Sequence, residues 1–196
     1  MNKVYLVLGS IGSGKSVISD FLLSHQEFSQ IEYIGSDAYK KKYFDSQGEK
    51  KKRGYRCADE LVFARMEQVC LSGQDFLFEL CPTNLNKIRT LKSICSNVNY
   101  QIVSFFIGTN NVNINVSRCK ARESAGGDTV DETKIKKRYF EALTHILELL
   151  RMSETMYFVD NSNEIPLLVA SILGDKIHVF RDNCTWFNNY VTAKLI

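Results

Sequence analysis

The stretch Val4-Tyr5-Leu6-Val7-Leu8-Gly9-Ser10-Ile11-Gly12-Ser13-Gly14-Lys15-Ser16 decides the reading of the chain. Its first five residues form an apolar run of strand length. From Gly9 onward it fits the pattern of glycine, four residues, glycine, lysine and a hydroxyl residue at every fixed position. Val17, Ile18, Phe21 and Leu22 then recur at helical spacing. Strand, glycine loop and helix together form a phosphate cradle. The glycines permit backbone angles closed to other residues, and the loop amides and helix N-terminus face an anion. Gly9, Ser10, Ile11, Gly12, Ser13, Gly14, Lys15 and Ser16 are therefore the expected nucleotide-binding loop. Lys15 is the cation for the β- and γ-phosphates, and Ser16 a hydroxyl ligand for Mg²⁺. The competing reading, a glycine-rich turn without a ligand, leaves the flanking strand and helix unexplained.

The bulk numbers are those of a globular protein. The chain has 196 residues, 44% of them hydrophobic and 24% charged, which suits a single domain over 1–196 with a sizeable core. A net charge of +3 suits small anionic ligands and does not by itself argue for nucleic acid. Six cysteines stand at 57, 70, 81, 95, 119 and 184 with neither paired nor zinc-ligand spacing, so free buried thiols are expected. No signal peptide and no run near the ~20 apolar residues of a membrane span are apparent. A cytoplasmic location follows as an expectation.

Apolar strand-like runs at 3–8, 31–35, 76–80, 100–106 and 156–159 alternate with helical patterns. Val62, Met66 and Val69 share one face, with Gly73 as the stop. Ile88, Leu91 and Cys95 share another. The longest helical pattern runs through Ile135, Tyr139, Leu143, Ile146 and Leu150. This alternation predicts an α/β, three-layer fold. Its mainly parallel five-stranded sheet is covered by helices on both faces, with a further C-terminal strand at Lys176-Ile177-His178-Val179-Phe180. Trp186 and Phe187 read as packing residues for the final helix. Ligands in such sheets bind beyond the carboxyl ends of the strands, so the strand ends at the phosphate loop, at Asp37 and at Glu79 should meet at one cleft.

Asp37 ends the second strand, where a carboxylate could accept or orient an acceptor hydroxyl's proton. It could equally cap a helix beginning at Ala38. Glu79 follows Phe76-Leu77-Phe78 and is placed to hold Mg²⁺ or a substrate hydroxyl. Thr83 and Asn84 follow as substrate-binding candidates, although Thr83 also suits a helix cap. Arg118 and Arg122 lie four apart on one helix face. With Gly126-Gly127 and the helix carrying Arg138, they form a lid over about 115–138, where guanidinium groups suit a transferring phosphoryl group. Arg122 is the catalytic candidate of the pair and Arg118 the nucleotide-binding one. The runs Lys40-Lys41-Lys42 and Lys50-Lys51-Lys52-Arg53 read as a solvated loop more readily than as a nucleic-acid grip. His25, His145 and His178 receive no catalytic or ligand role.

From the phosphate loop to about Asn161 the protein resembles the zeta-toxin family of P-loop kinases. The resemblance rests on Ile34-Gly35-Ser36-Asp37, the acid-ended third strand, and Val159-Asp160-Asn161-Ser162. Its most specific part runs from Asn115-Val116-Ser117-Arg118-Cys119-Lys120-Ala121-Arg122 through Glu123-Ser124-Ala125-Gly126-Gly127-Asp128-Thr129-Val130, followed by Ile135-Lys136-Lys137-Arg138-Tyr139 and Leu143. The resemblance implies an ATP- or GTP-dependent kinase with Mg²⁺, the best-known family acceptor being the sugar 3′-hydroxyl of UDP-N-acetylglucosamine. It implies Lys15 and the lid arginines as phosphate neutralisers, Asp37 as base, and Glu79 and Thr83 near the acceptor. Asp128 stands where many members have a histidine or a cation, and Asp131 replaces the usual proline. The functions in competition are a kinase acting on a small molecule, a nucleotide-binding toxin-like regulator capped by an antitoxin, and a nucleic-acid-end kinase.

Overall fold

The computed structural model describes residues 1–35 and 52–195, apart from the side chains of 52–59. Asp37 and Lys40 to Lys42 lie outside the described residues, as do Lys50, Lys51 and the side chains of Lys52 and Arg53. Strand β1 (Lys3–Gly9) leads through the phosphate loop into helix α1 (Lys15–Leu23), followed by β2 (Glu32–Gly35) and α2 (Lys52–Ser72). Next come β3 (Phe76–Leu80), α3 (Leu85–Asn97), β4 (Gln101–Gly108), α4 (Val112–Ser124), α5 (Glu132–Thr144) and α6 (Ile146–Met152). Strands β5 (Thr155–Asp160), β6 (Leu167–Leu173) and β7 (Lys176–Val179) complete the sheet, and short helical turns follow from Thr185 onward.

Among the described residues the sheet has seven strands in the order β2-β3-β1-β4-β5-β6-β7. The first five pair in parallel, β6 pairs antiparallel with β5, and β7 pairs antiparallel with β6. The central strand, β1, shows why the sheet is covered twice. Val4, Leu6 and Leu8 join the larger core with α2, α3, α5 and α6. Val7 faces the other way, into a smaller core with Ile18 and Leu22 of α1. Alternate side chains of a strand point to opposite faces, so an uninterrupted apolar run requires a layer on each side.

The expected helix faces are the buried ones. Val62, Met66 and Val69 are inside, as are Ile88, Leu91 and Cys95. Gly73 follows α2 with φ 69°, the left-handed conformation common just beyond a helix end. Two expectations require correction. The pattern from Ile135 to Leu150 is two helices, broken at His145, whose ring nitrogen Nδ1 lies 2.8 Å from the Pro82 carbonyl. The cap of α3 is Asn84, not Thr83: Asn84 Oδ1 accepts from the N–H groups of Asn86 and Lys87. The predicted C-terminal strand is present as β7, but β6 precedes it and joins it to the parallel sheet. Trp186 and Phe187 are buried against Phe106 and Phe158, which fastens the C-terminal turns to the larger core.

Candidate active site

The loop after β1 closes through Gly12 at φ 75° and Gly14 at φ 92°, both left-handed. Both positions also lack space. A Cβ at Gly12 would lie 2.6 Å from the Asn115 carbonyl oxygen, and one at Gly14 only 2.0 Å from Asn161 Nδ2. Gly14 is the N-cap of α1, which has no side-chain cap and no acid in its first turn. The first N–H groups of a helix have no partner within it, and they carry its positive end. Here they are left to an anion. Lys15 folds back over the loop, with Nζ donating to the Ser10 carbonyl at 3.0 Å.

Glu79 is delivered beside this loop by strand pairing. It lies opposite Val7 in the β1–β3 register, and its carboxylate reaches α1. Oε1 accepts from Ser16 Oγ at 3.4 Å, and Oε2 accepts from Ser19 Oγ at 3.3 Å and Tyr33 OH at 2.9 Å. Three hydroxyls therefore orient one buried carboxylate. A Ser16 hydroxyl beside a carboxylate is a hard oxygen pair of the kind Mg²⁺ takes together with substrate phosphates and waters. No group of three or more His, Cys, Asp or Glu side chains able to hold a metal occurs among the described residues. An all-protein cage is thus absent there, whereas a site shared with phosphates fits.

Helix α4 carries the arginines. Arg118 is half-buried, yet its Nη1 is fully enclosed and has no hydrogen-bond partner, and neither has Ser13 Oγ in the loop. Arg118 Nη1 is 3.9 Å from the point a Gly14 Cβ would occupy. Arg122 is exposed, one turn further out. Its charge and that of Lys15 both favour the Cys119 thiolate, but burial outweighs them and holds that thiol above its ordinary range. The lid turns over at Gly126 and Gly127. Asp131 caps α5 through a bond from the Lys134 N–H to Oδ1 at 3.1 Å, and Asp128 is exposed. Arg138 is half-buried on α5.

A cavity of about 820 Å³ opens between the start of α4 and the segment after β5, with Arg118 in its lining. Asn111, Asn113, Ser117, Arg118 and Ser162 supply polar groups, and Ile114, Ile165 and Leu167 supply apolar walls. The structure thus brings together the phosphate loop, Glu79 and Arg118. Thr83 is half-buried just after β3, and the Asn84 side chain is engaged as a cap. Sequence reasoning passed over Asn115, Asn161, Ser19 and Tyr33. Each acts through a partner distant in sequence, and Ser19 alone carried a local signal as well, lying one helical turn after Ser16 on the same face.

The comparisons with known proteins bear on family and fold. The family model described as Zeta toxin matches residues 2–183. The chain belongs to the zeta-toxin family. Zeta-toxin family membership and the P-loop kinase fold now stand on separate grounds, one from sequence and one from structure. The AvrRxo1-ORF1:ORF2 complex solved with ATP aligns at TM-score 0.73 and 11% identity, covering 97% of this chain and 63% of that one. The chain therefore spans less than two thirds of the length of that relative. The structure from the PezAT toxin–antitoxin system of Streptococcus pneumoniae aligns at TM-score 0.62 and 15% identity, covering 84% and 72%. The Pnkp1/Rnl/Hen1 RNA repair complex aligns at 0.57 and 14%, covering 75% and 46%. No curated protein sequence matches the chain. No helix among the described residues is long and apolar enough to cross a membrane.

Proposed function

We propose that this zeta-toxin-family protein transfers the γ-phosphate of ATP to a hydroxyl of a small molecule, a sugar nucleotide such as UDP-N-acetylglucosamine being the first candidate. GTP is the alternative donor. The observation that carries the reading is the pair of buried side-chain atoms without partners, Arg118 Nη1 and Ser13 Oγ, beside the uncapped start of α1. A buried donor without a partner is costly, and a guanidinium facing a glycine loop and an uncapped helix is completed by phosphate oxygens.

In this reading the loop amides and Lys15 bind the phosphate tail, and Arg118 neutralises charge on it. Arg122 swings its charge over the transferring group from the outer turn of α4. The cavity between α4 and the segment after β5 takes the base and sugar. Ser16 and Glu79 hold Mg²⁺, whose role when bound is to neutralise charge on the β- and γ-oxygens. Asp37 takes the acceptor's proton, and Thr83, Asn84 and Glu79 lie on the acceptor side. The acceptor assignment rests on the family resemblance. A capping protein, an antitoxin in function, is proposed by analogy with the PezAT structure.

A screen of hydroxyl acceptors, UDP-sugars first, with labelled ATP and GTP tests the reading. The expected result is acceptor-dependent nucleotide consumption that Asp37→Asn reduces by about 10²–10⁴-fold, the range for losing a general base. Turnover by Asp37→Asn at the parent's rate would remove Asp37 as base, and ATP consumption indifferent to every acceptor would remove the small-molecule reading.

A further inference from the structure

Two buried asparagines hold the phosphate loop from behind. Asn115, on α4, is wholly enclosed. Its Nδ2 donates to the Ile11 carbonyl at 2.7 Å and to Ser10 Oγ at 2.9 Å, and its Oδ1 accepts from Thr109 Oγ1 at 2.5 Å. Thr109 is fixed in turn, since its carbonyl accepts from Tyr139 OH of α5 at 2.6 Å. Asn161, 5% exposed just beyond β5, donates from Nδ2 to the Ser13 carbonyl at 2.8 Å, while its backbone N–H donates to the Gly108 carbonyl at 2.9 Å. Both side-chain orientations are determined by chemistry. Ile11 and Ser13 present carbonyl oxygens, which only accept, so the amide nitrogen must face each of them.

The carbonyl of Ile11 belongs to the same peptide unit as the N–H of Gly12. The carbonyl of Ser13 belongs with the N–H of Gly14. No described peptide bond is cis, and in a planar trans peptide the C=O and N–H point in opposite directions. A side chain that draws the Ile11 carbonyl outward therefore turns the Gly12 N–H inward. The same holds for Ser13 and Gly14. The two glycines supply the flexibility to adopt this arrangement, and the two asparagines fix it.

We infer that Asn115 and Asn161 are positioning residues of the phosphate site, each aiming one loop N–H at a bound polyphosphate. Asn115 has a second consequence. It lies one helical turn before Arg118 on α4, so a single amide sets the register of that guanidinium against the loop. Donors held in place before the ligand arrives need no reorganisation when it binds. This inference rests on the kinase reading of the loop and assigns the orientation of its donors to two residues outside the glycine-lysine motif.

The test is a binding comparison across three probes: tripolyphosphate, ATP and adenosine, the first two by calorimetry and the last by ligand-observed NMR. The variants are Asn161→Leu, which keeps the volume and removes the donor, and Asn161→Ala and Asn115→Ala, which remove the donor together with the side-chain volume. Circular dichroism melts identify the folded variants, and the alanine changes carry the test if the leucine variant does not fold. Each folded variant should bind tripolyphosphate and ATP about tenfold more weakly, or about 1.4 kcal/mol, while adenosine affinity stays within twofold of the parent. A parallel loss for all three probes, or unchanged tripolyphosphate binding, would overturn the inference, because a purely structural role does not select for phosphate. A parent protein that binds neither tripolyphosphate nor ATP would overturn it by a different route, by removing the phosphate site before any substitution is made.

Discussion

Arg118 is the residue at which the candidate site is least complete without a ligand. Its Nη1 is buried without a partner, and its planar fork suits phosphate in a way that an ammonium does not. Arg118→Lys should therefore act as a severe change. The expected loss in kcat is about 10²–10³-fold, comparable to removing one donor from a charge-stabilising site, with little change in melting temperature. Steady-state kinetics beside a thermal melt checks it, and a near-normal kcat would place Arg118 away from the nucleotide's phosphate tail. Glu79 offers a second test. Ser16, Ser19 and Tyr33 all direct their hydroxyls at its carboxylate, and Gln has one fewer acceptor oxygen and no charge. Glu79→Gln should raise the Mg²⁺ concentration for half-maximal rate by about 10–100-fold, the usual range for weakened metal surroundings. An unchanged Mg²⁺ titration would place Glu79 on the acceptor side alone. At this scale the glycine-lysine motif was readable because its spacing is local. The roles of Asn115 and Asn161 were not, although both fall in the stretches that carry the family resemblance, because an asparagine in a helix or after a strand does not name its partner. Their partners are 104 and 148 residues away, so only the folded sheet brings them to the loop.

Elements were readable where one periodicity decided them. The five parallel strands were expected from apolar runs with turns between them, and each run is a strand. β6 is Leu167-Leu168-Val169-Ala170-Ser171-Ile172-Leu173, a run with no polar alternation, which periodicity alone does not separate from a buried helix segment. The break between α5 and α6 was hidden for a related reason. Ile135, Tyr139, Leu143 and Ile146 all face the interior, so the apolar stripe passes through His145 without interruption. The lid elements carry their own test in Glu132, at the start of α5. Its carboxylate receives Lys136 Nζ at 2.7 Å, from the same helix, and Lys120 Nζ at 2.9 Å, from α4. Hydrogen bonds from Lys136 and then Lys120 hold its carboxyl down to about 2. A carboxylate whose folded pKa is depressed contributes stability above its ordinary range, and that contribution disappears as pH falls through the folded value. The lid clamp should therefore be intact above about pH 4.5, the ordinary value for this group, and lost toward pH 2. The group is in contact with solvent, so salt should weaken the clamp. A side-chain carboxyl NMR titration should place the Glu132 midpoint well below that of an ordinary glutamate, and Lys120→Met or high salt should raise it. A midpoint in the ordinary range that Lys120→Met leaves unmoved would show that α4 and α5 are not joined there.

Across the whole molecule, the C-terminal turns are coupled to the site through the ends of β4 and β5. Trp186, the single tryptophan, is buried, and its indole Nε1 donates to Asp160 Oδ1 at 3.1 Å. Asp160 also accepts from Ser162 Oγ at 2.6 Å and Asn110 Nδ2 at 3.3 Å. The next residue is Asn161, whose amide holds the phosphate loop. The turns that follow the sheet thereby brace the strand end from which the loop is held. Gly108 is where this brace can be tested, because its missing side chain makes room for the indole. A Cβ there would lie 2.3 Å from Trp186 Cε2. Gly108→Ala should displace the ring, weaken the bond to Asp160 and destabilise the protein by about 1–3 kcal/mol, the usual cost of overpacking a core. The displaced indole would meet more water, so tryptophan emission should shift to the red together with a lower denaturant midpoint. ATP affinity should fall as well, since Asn161 would lose a rigid neighbour. An unchanged emission maximum and midpoint would show that the indole does not pack on Gly108. A red shift with unchanged ATP affinity would show that the brace ends at Asp160 and does not reach the loop.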